Sequence, residues 1–223
     1  MNASQRWDAP EDWPVSRHTE LARGAMAAFD EDVITSPEGQ RLTRQRLRHP
    51  GSVAIIAYDD DGRVAVVHQY RHAVGMRLVE PPAGLLDQAG EPAWDAARRE
   101  LAEEAGLAAD DWAVLVDFVS SPGISQEVAR IFLARGLHQV GRPAGFAAEG
   151  EEADMGLDWL PLDDIMAAIR AGRVNNPALI LGCTTLALAL ATGTLDRLRP
   201  AEAPWPARDL RLGHDRRSDG PVP

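Results

Sequence analysis

The chain has no lysine. All 23 of its basic side chains are arginines, set against 34 acidic ones, for a formal net charge of -11. That absence rules out a Schiff-base lysine, a P-loop lysine and a lysine general base. The acidic balance argues against nucleic-acid binding through bulk positive charge, which needs an excess of cations over phosphates. A nucleotide-sized substrate remains open, because a metal ion can bridge two anions. Cysteine is nearly absent as well. Cys183 is the only one, so no internal disulfide and no Cys-rich metal site can form. It sits in an apolar run and reads as a buried, inert thiol. Long hydrophobic runs are missing too. The longest, Ala178 to Ala191, is too short to cross a bilayer and contains Thr184 and Thr185. Met1 to Pro14 is polar and lacks the apolar core of a signal peptide. These features point to a cytoplasmic protein with neither a membrane nor a nucleic-acid partner.

What is present suits a globular chain. The 223 residues are 45% hydrophobic and 26% charged, enough for one domain with additions or for two small ones. Residues 1 to about 18 read as loosely ordered. Strand-like pieces follow up to Arg48, including Val33-Ile34-Thr35, with a turn at Ser36-Pro37-Glu38-Gly39. Arg41, Arg44, Arg46 and Arg48 suggest the solvent face of a strand. Ser52–Tyr58 and Arg63–Tyr70 read as a hairpin around Asp59-Asp60-Asp61-Gly62. Further strands are expected at Ala113–Val119, Val128–Ala134 and Gly156–Leu160. Helices are expected at Pro92–Ala105, Leu162–Ala171 and Ala178–Ala191. The order of elements predicts an α+β or layered α/β/α fold rather than a doubly wound parallel sheet. The expected organisation is an N-terminal β subdomain over 1–48, a main domain over 49–195, and a disordered tail over 196–223.

The chemistry concentrates between Gly84 and Leu107. On a helix, Glu100 and Glu104 share one face and Glu103 flanks it, at about 0°, 40° and 300° around the axis. Like charges so placed repel, and hard divalent cations with oxygen ligands relieve such repulsion. Arg98 and Arg99, on the same helix, can hold a carboxylate by charge-assisted hydrogen bonds. A solvated charged face is the bland alternative. The Pro-Pro-Ala-Gly bend before the helix and the glycine stop after it make this pattern more specific than a charge run.

The segment resembles the Nudix box, G-x5-E-x7-R-E-U-x-E-E-x-G-U, where U is a bulky aliphatic residue. Glu91, seven intervening residues and then Arg99-Glu100-Leu101-Ala102-Glu103-Glu104-Ala105-Gly106-Leu107 match it in full. One departure precedes them: six residues, not five, separate Gly84 from Glu91. The extra residue should leave the helical ligands in place and alter only the backbone near Gln88-Ala89-Gly90. Outside the box, Gln69-Tyr70-Arg71 followed by Glu80-Pro81-Pro82-Ala83-Gly84 resembles the bacterial, actinobacterial-type ADP-ribose pyrophosphatases. So do Pro122, within Ser121–Glu127, and the acidic segment Glu149–Met155.

That resemblance implies a Nudix α/β/α sandwich with a mixed sheet and a small N-terminal β subdomain. It implies hydrolysis of ADP-ribose to AMP and ribose 5-phosphate with two to three Mg²⁺ or Mn²⁺ ions. The implied metal ligands are Glu100, Glu104, Glu152 and the carbonyl of Ala83. Glu152 is the implied general base, with Glu151 as fallback, and Arg99 and Glu103 complete the catalytic set. Arg71, Glu80, Pro122, Gly123 and Glu127 are the implied substrate-side residues. Arg71 reads either as an exposed strand-end charge or as a functional residue, a clamp on the diphosphate or an arginine that holds Glu80. Glu127 either orients the terminal ribose or pairs with Arg130. A homodimer with exchanged N-terminal strands is implied as well. The alternatives are a Nudix pyrophosphatase for another nucleoside diphosphate sugar or dinucleotide, and a non-catalytic ADP-ribose binding module.

Overall fold

The structure is a computed structural model, and residues 6–143 and 156–210 are described. Within them, 6–50, 121–128 and 205–210 form one compact unit, and 51–120 with 129–204 form another.

The first unit is built on an antiparallel three-stranded sheet in the order β1 (Val15–Arg23), β2 (Ala28–Thr35), β3 (Arg41–Arg48). The loosely ordered stretch expected up to residue 18 therefore ends at Val15. The ladder sets acids on β2 opposite arginines on β3, with Asp30 across from Arg46 and Asp32 across from Arg44. Asp30 is fully buried, with Arg46 at 3.3 Å and Arg48 at 3.2 Å. Arg46 also bonds Asp32 at 3.0 Å, and His18 contacts Asp32 at 2.7 Å. So Arg46 and Arg48 do not form the solvent face their spacing suggested. They pair with a buried carboxylate, whose burial without partners would be costly.

The second unit carries two sheets and three helices. Its five-stranded sheet runs β11 (Arg199–Pro200), β8 (Leu107–Val119), β9 (Val128–Gln139), β4 (Ser52–Ala57), β7 (Ala83–Leu85). Its three-stranded sheet runs β10 (Gly156–Pro161), β5 (Arg63–Arg71), β6 (Met76–Glu80). The helices are α1 (Ala93–Ala105), α2 (Leu162–Arg170) and α3 (Pro177–Thr192). Ala54 and Ile56 of β4, with Ile131 and Leu133 of β9, join Leu179, Cys183 and Leu186 of α3 in one core. Strand side chains alternate between faces. Val53 and Ile55 thus point to the opposite face, where α1 packs on β4 and β7. The layered α/β/α arrangement with a mixed sheet is as the sequence predicted.

Two expectations need correction. β4 and β5 are joined by the expected turn, closed by Asp59 and Gly62, but they do not form a hairpin ladder. Beyond the single bridge Tyr58–Val64 they part, β4 running parallel to β9 and β5 lying between β10 and β6. Both strands are buried along most of their length, β5 through Val64–Val67. Continuous apolar runs mark strands covered on both faces, and such strands find partners on either side rather than only each other. The tail expected to be disordered from 196 is instead ordered as far as it is described, to residue 210. Arg199 and Pro200 pair with Val114 and Ala113, and Ala201 and Ala203 are buried.

Arg130 holds that end in place. It is 2% exposed, bonds both carboxylate oxygens of Asp117 at 2.7 and 3.0 Å, and donates to the carbonyls of Ala203 and Pro204 at 2.7 and 3.0 Å. Among the described residues no helix is long and apolar enough to cross a membrane.

Removing Arg130 strands two carbonyls and leaves Asp117 with Arg199, 2.7 Å away, as its cation. Arg130→Met is expected to lose about 2 kcal/mol of unfolding free energy, read by urea titration. A loss under about 0.5 kcal/mol would remove the clamp role from Arg130.

Candidate active site

The site begins with the bend Pro81-Pro82. The amide of Ile55 donates to the carbonyl of Pro82 at 2.8 Å, and Ala83, Gly84 and Leu85 then pair antiparallel with Ala54, Val53 and Ser52. The bend therefore lays a short edge strand directly beneath α1. Pro92 caps α1 at its start with φ -62°, and Gly106 ends it in the left-handed region at φ 65°. A glycine there accepts that conformation at no steric cost. Ala96, Ala97, Leu101 and Ala105 form the buried stripe of the helix, and Glu104 falls inside it. Its carboxylate accepts a hydrogen bond from the amide of Ala83 at 2.9 Å.

Glu100 lies over Gly84. A Cβ placed on Gly84 would stand 2.0 Å from the Glu100 Cδ. This glycine is required because the carboxylate fills the space a side chain would take.

Arg99 gathers the remaining acids. Its Nε and Nη2 donate to Oε1 and Oε2 of Glu91, each at 3.1 Å. Its Nη1 donates to Glu100 Oε1 at 2.6 Å and to Glu103 Oε2 at 3.1 Å. The Glu91 hydrogen bonds, more than the neighbouring charge of Glu100, push the guanidinium further toward its charged form than usual. The extra residue before Glu91 is absorbed in a turn. The amide of Glu91 bonds the carbonyl of Gln88 at 3.2 Å, and Gly90 takes φ 82°. Glu91 still reaches Arg99, so the insertion leaves the cluster intact, as expected. Arg98 takes no part in it. It stands 5.3 Å over the Trp94 ring and 3.8 Å from Asp95.

Arg71 binds Glu80 through two bonds, at 3.0 and 2.6 Å, and Glu80 is 3% exposed. Arg71 is therefore bonded to Glu80 in this structure. Pro122, Gly123 and Glu127 belong to the first unit, where Glu127 lies 3.8 Å from His49. Arg130 is bonded to Asp117 and to the carbonyls of Ala203 and Pro204, as described above. Glu151 and Glu152 lie outside the described residues.

Among the described residues no three acidic, histidine or cysteine groups converge on one point as a ready metal cage. The reason is visible: the oxygens of Glu100 and Glu103 turn to Arg99, and that of Glu104 to the Ala83 amide. The donors are nonetheless all hard oxygens, the set that suits Mg²⁺ or Mn²⁺. Two contributors escaped the list of site residues read from the sequence. Glu91 lies just outside the helix, so no helical spacing links it to Arg99. Arg142 donates to the carbonyl of Glu104 at 3.3 Å from 38 residues along the chain.

Residues 48–179 match the NUDIX domain. The chain belongs to the Nudix family. It is 43% identical over 197 residues to an ADP-ribose pyrophosphatase of Mycobacterium tuberculosis, covering 88% of this chain and 93% of that protein. It is 31% identical over 169 residues to a methanol dehydrogenase activator of Bacillus methanolicus, covering 76% and 89%. A solved ADP compounds hydrolase shares the fold, with a TM-score of 0.68 and 19% identity, covering 85% of this chain and all of that one. Nudix hydrolases generally use divalent metals.

Gly84→Ala tests the close approach. The new methyl group meets the flexible end of Glu100, so the fold should survive with a midpoint within a few degrees of the parent. Glu100 must swing out, and turnover should fall about 10²-fold, the scale for losing one preorganised electrostatic group. Parent-like turnover in a folded Gly84→Ala protein would remove Glu100 from the site.

Proposed function

We propose that this protein is an ADP-ribose pyrophosphatase, hydrolysing the diphosphate of ADP-ribose to AMP and ribose 5-phosphate. The observation that carries the reading is the Glu91–Arg99–Glu100–Glu103 cluster, set with Glu104 against the Ala83–Gly84 edge strand. The likeness to the mycobacterial pyrophosphatase over nearly the whole of both chains supports the choice of substrate.

Glu100, Glu104, Glu152 and the carbonyl of Ala83 would hold two to three Mg²⁺ or Mn²⁺ ions. Bound there, such ions would neutralise the diphosphate and lower the pKa of an attacking water. The chain's own residues do the rest. Glu152, or Glu151 beside it, accepts the proton from that water, a role worth about 10²–10⁴ in rate for a positioned base. Arg99 hydrogen-bonds Glu100 and Glu103 before any ion binds and orients Glu103. Arg71 holds the buried Glu80 on the substrate side. Pro122, Gly123 and Glu127 keep the substrate role that rests on the resemblance. The same proposal includes a cytoplasmic homodimer with exchanged N-terminal strands. Light scattering should then give twice the chain mass of 24.2 kDa, and a monomer would refute it.

A second reading, hydrolysis of another nucleoside diphosphate derivative, is favoured by one finding. A relative from Streptomyces rubellomurinus, 28% identical over 169 residues, is named a hydrolase of a CMP-linked phosphonate, a nucleotide conjugate other than ADP-ribose. A panel of diphosphates assayed with Mg²⁺ separates the two. ADP-ribose should give the highest kcat/KM, and an equal or higher value for a sugar nucleotide or dinucleotide would overturn the assignment. Glu104→Gln should bind ADP-ribose yet turn over about 10²-fold more slowly or worse. A parent protein that binds ADP-ribose without any turnover would instead be a binding module.

A further inference from the structure

Four glutamates crowd the start and inner end of α1, yet every one of them already has a partner without any metal. Glu91, Glu100 and Glu103 are bonded to Arg99, and Glu104 to the Ala83 amide. The partners differ in kind. The bond from Glu104 comes from backbone that is itself locked into a sheet. The bond from Glu100 comes from a side-chain cation, and Arg99 Nη1 shares itself between Glu100 and Glu103. Arg99 is meanwhile fixed from the other side by both oxygens of Glu91, which the turn at Gln88–Glu91 brings into reach.

We propose that Arg99 is a placeholder cation. It neutralises Glu100 before a divalent ion arrives and gives that carboxylate up when the ion binds, while Glu91 keeps the guanidinium where it is. This rests on the reading that Glu100 is a metal ligand.

The physical case is one of charge and geometry. Glu100, Glu103 and Glu104 repel one another on a single helix, and without a cation the helix would bear that cost unrelieved. A guanidinium at 2.6 Å relieves it. An incoming divalent ion needs the oxygen that Arg99 holds, and it also meets a fixed positive charge nearby. Gly84 limits the escape of Glu100. With the edge strand beneath it and Arg99 beside it, the carboxylate can exchange partners by a small rotation instead of moving into solvent. Glu91 is then a positioning residue. Its two bonds keep Arg99 from following Glu100, so the arginine remains to orient Glu103.

The exchange predicts a sign that a purely orienting arginine would reverse. Removing a competitor tightens metal binding, whereas removing an orienting group weakens it. The test is Mn²⁺ binding without substrate, followed by the electron paramagnetic resonance of the free ion, on the parent and Arg99→Met. Arg99→Met is expected to bind Mn²⁺ about ten-fold more tightly while losing turnover, and to lose more thermal stability without metal than with it. Equal or weaker Mn²⁺ binding in Arg99→Met overturns the placeholder role and leaves the metal reading intact. A parent protein that binds no Mn²⁺ overturns both. A crystal of the parent protein soaked in Mg²⁺ gives a second measurement, independent of whether Arg99→Met folds. Glu100 released from Arg99 with both Glu91 bonds retained supports the exchange, and Glu100 still bonded to Arg99 with Mg²⁺ present overturns it.

Discussion

The structure around the site depends on one electrostatic constraint: several carboxylates must be held charged and close together. A single helix carries Glu100, Glu103 and Glu104, and Glu91 stands just before it. Left alone, they would destabilise α1 through like-charge repulsion. Arg99 and the Ala83 amide offset that repulsion, and each imposes a demand on the fold. The amide must point at the helix, so the Pro81-Pro82 bend has to dock on β4. The guanidinium must stay between Glu91 and the helix, so the loop before α1 has to turn back through Gly90. Glu104 needs the apolar stripe of Ala97 and Leu101 around it, so α1 must seat firmly on the sheet.

The sandwich supplies that seat. β4 is covered on both faces, by α3 on one and α1 on the other, and its alternating side chains divide between them. The sheet under α1 is thus packed by α3 on its far side, and Ala83 of the edge strand beneath the carboxylates packs against the same core. The Arg130 clamp serves the same sheet at its opposite edge. It ties the segment at Ala203 and Pro204 to β8 and β9 through Asp117 and two carbonyls.

Much of the site was legible because it is local. Glu100, Glu103 and Glu104 share a face by helical spacing alone, and Gly106 announces the stop. The insertion before Glu91 was legible as harmless for the same reason, since it precedes the helix. The reach of Glu91 to Arg99, the need for glycine at 84 and the bond of Arg142 to α1 were not legible. Each depends on a contact between segments whose approach no periodicity encodes. Arg98 and Arg99 are adjacent and alike in sequence, yet one binds the carboxylates and the other lies over Trp94. Only their directions from the helix axis separate them.

The same division runs through the fold. The sequence by itself determined the element types, the acidic helix and its chemistry, because propensity, capping and spacing act over a few residues. Tertiary structure decided which strands met. β4 and β5 are neighbours in sequence and leave one another for separate sheets, because each is apolar on both faces and must be covered twice. It decided too that Arg46 and Arg48 face a buried Asp30, and that the segment from 196 to Pro204 has a place to pack. Strand partners and buried ion pairs are chosen by what else competes for burial across the whole chain, and no local window contains that competition.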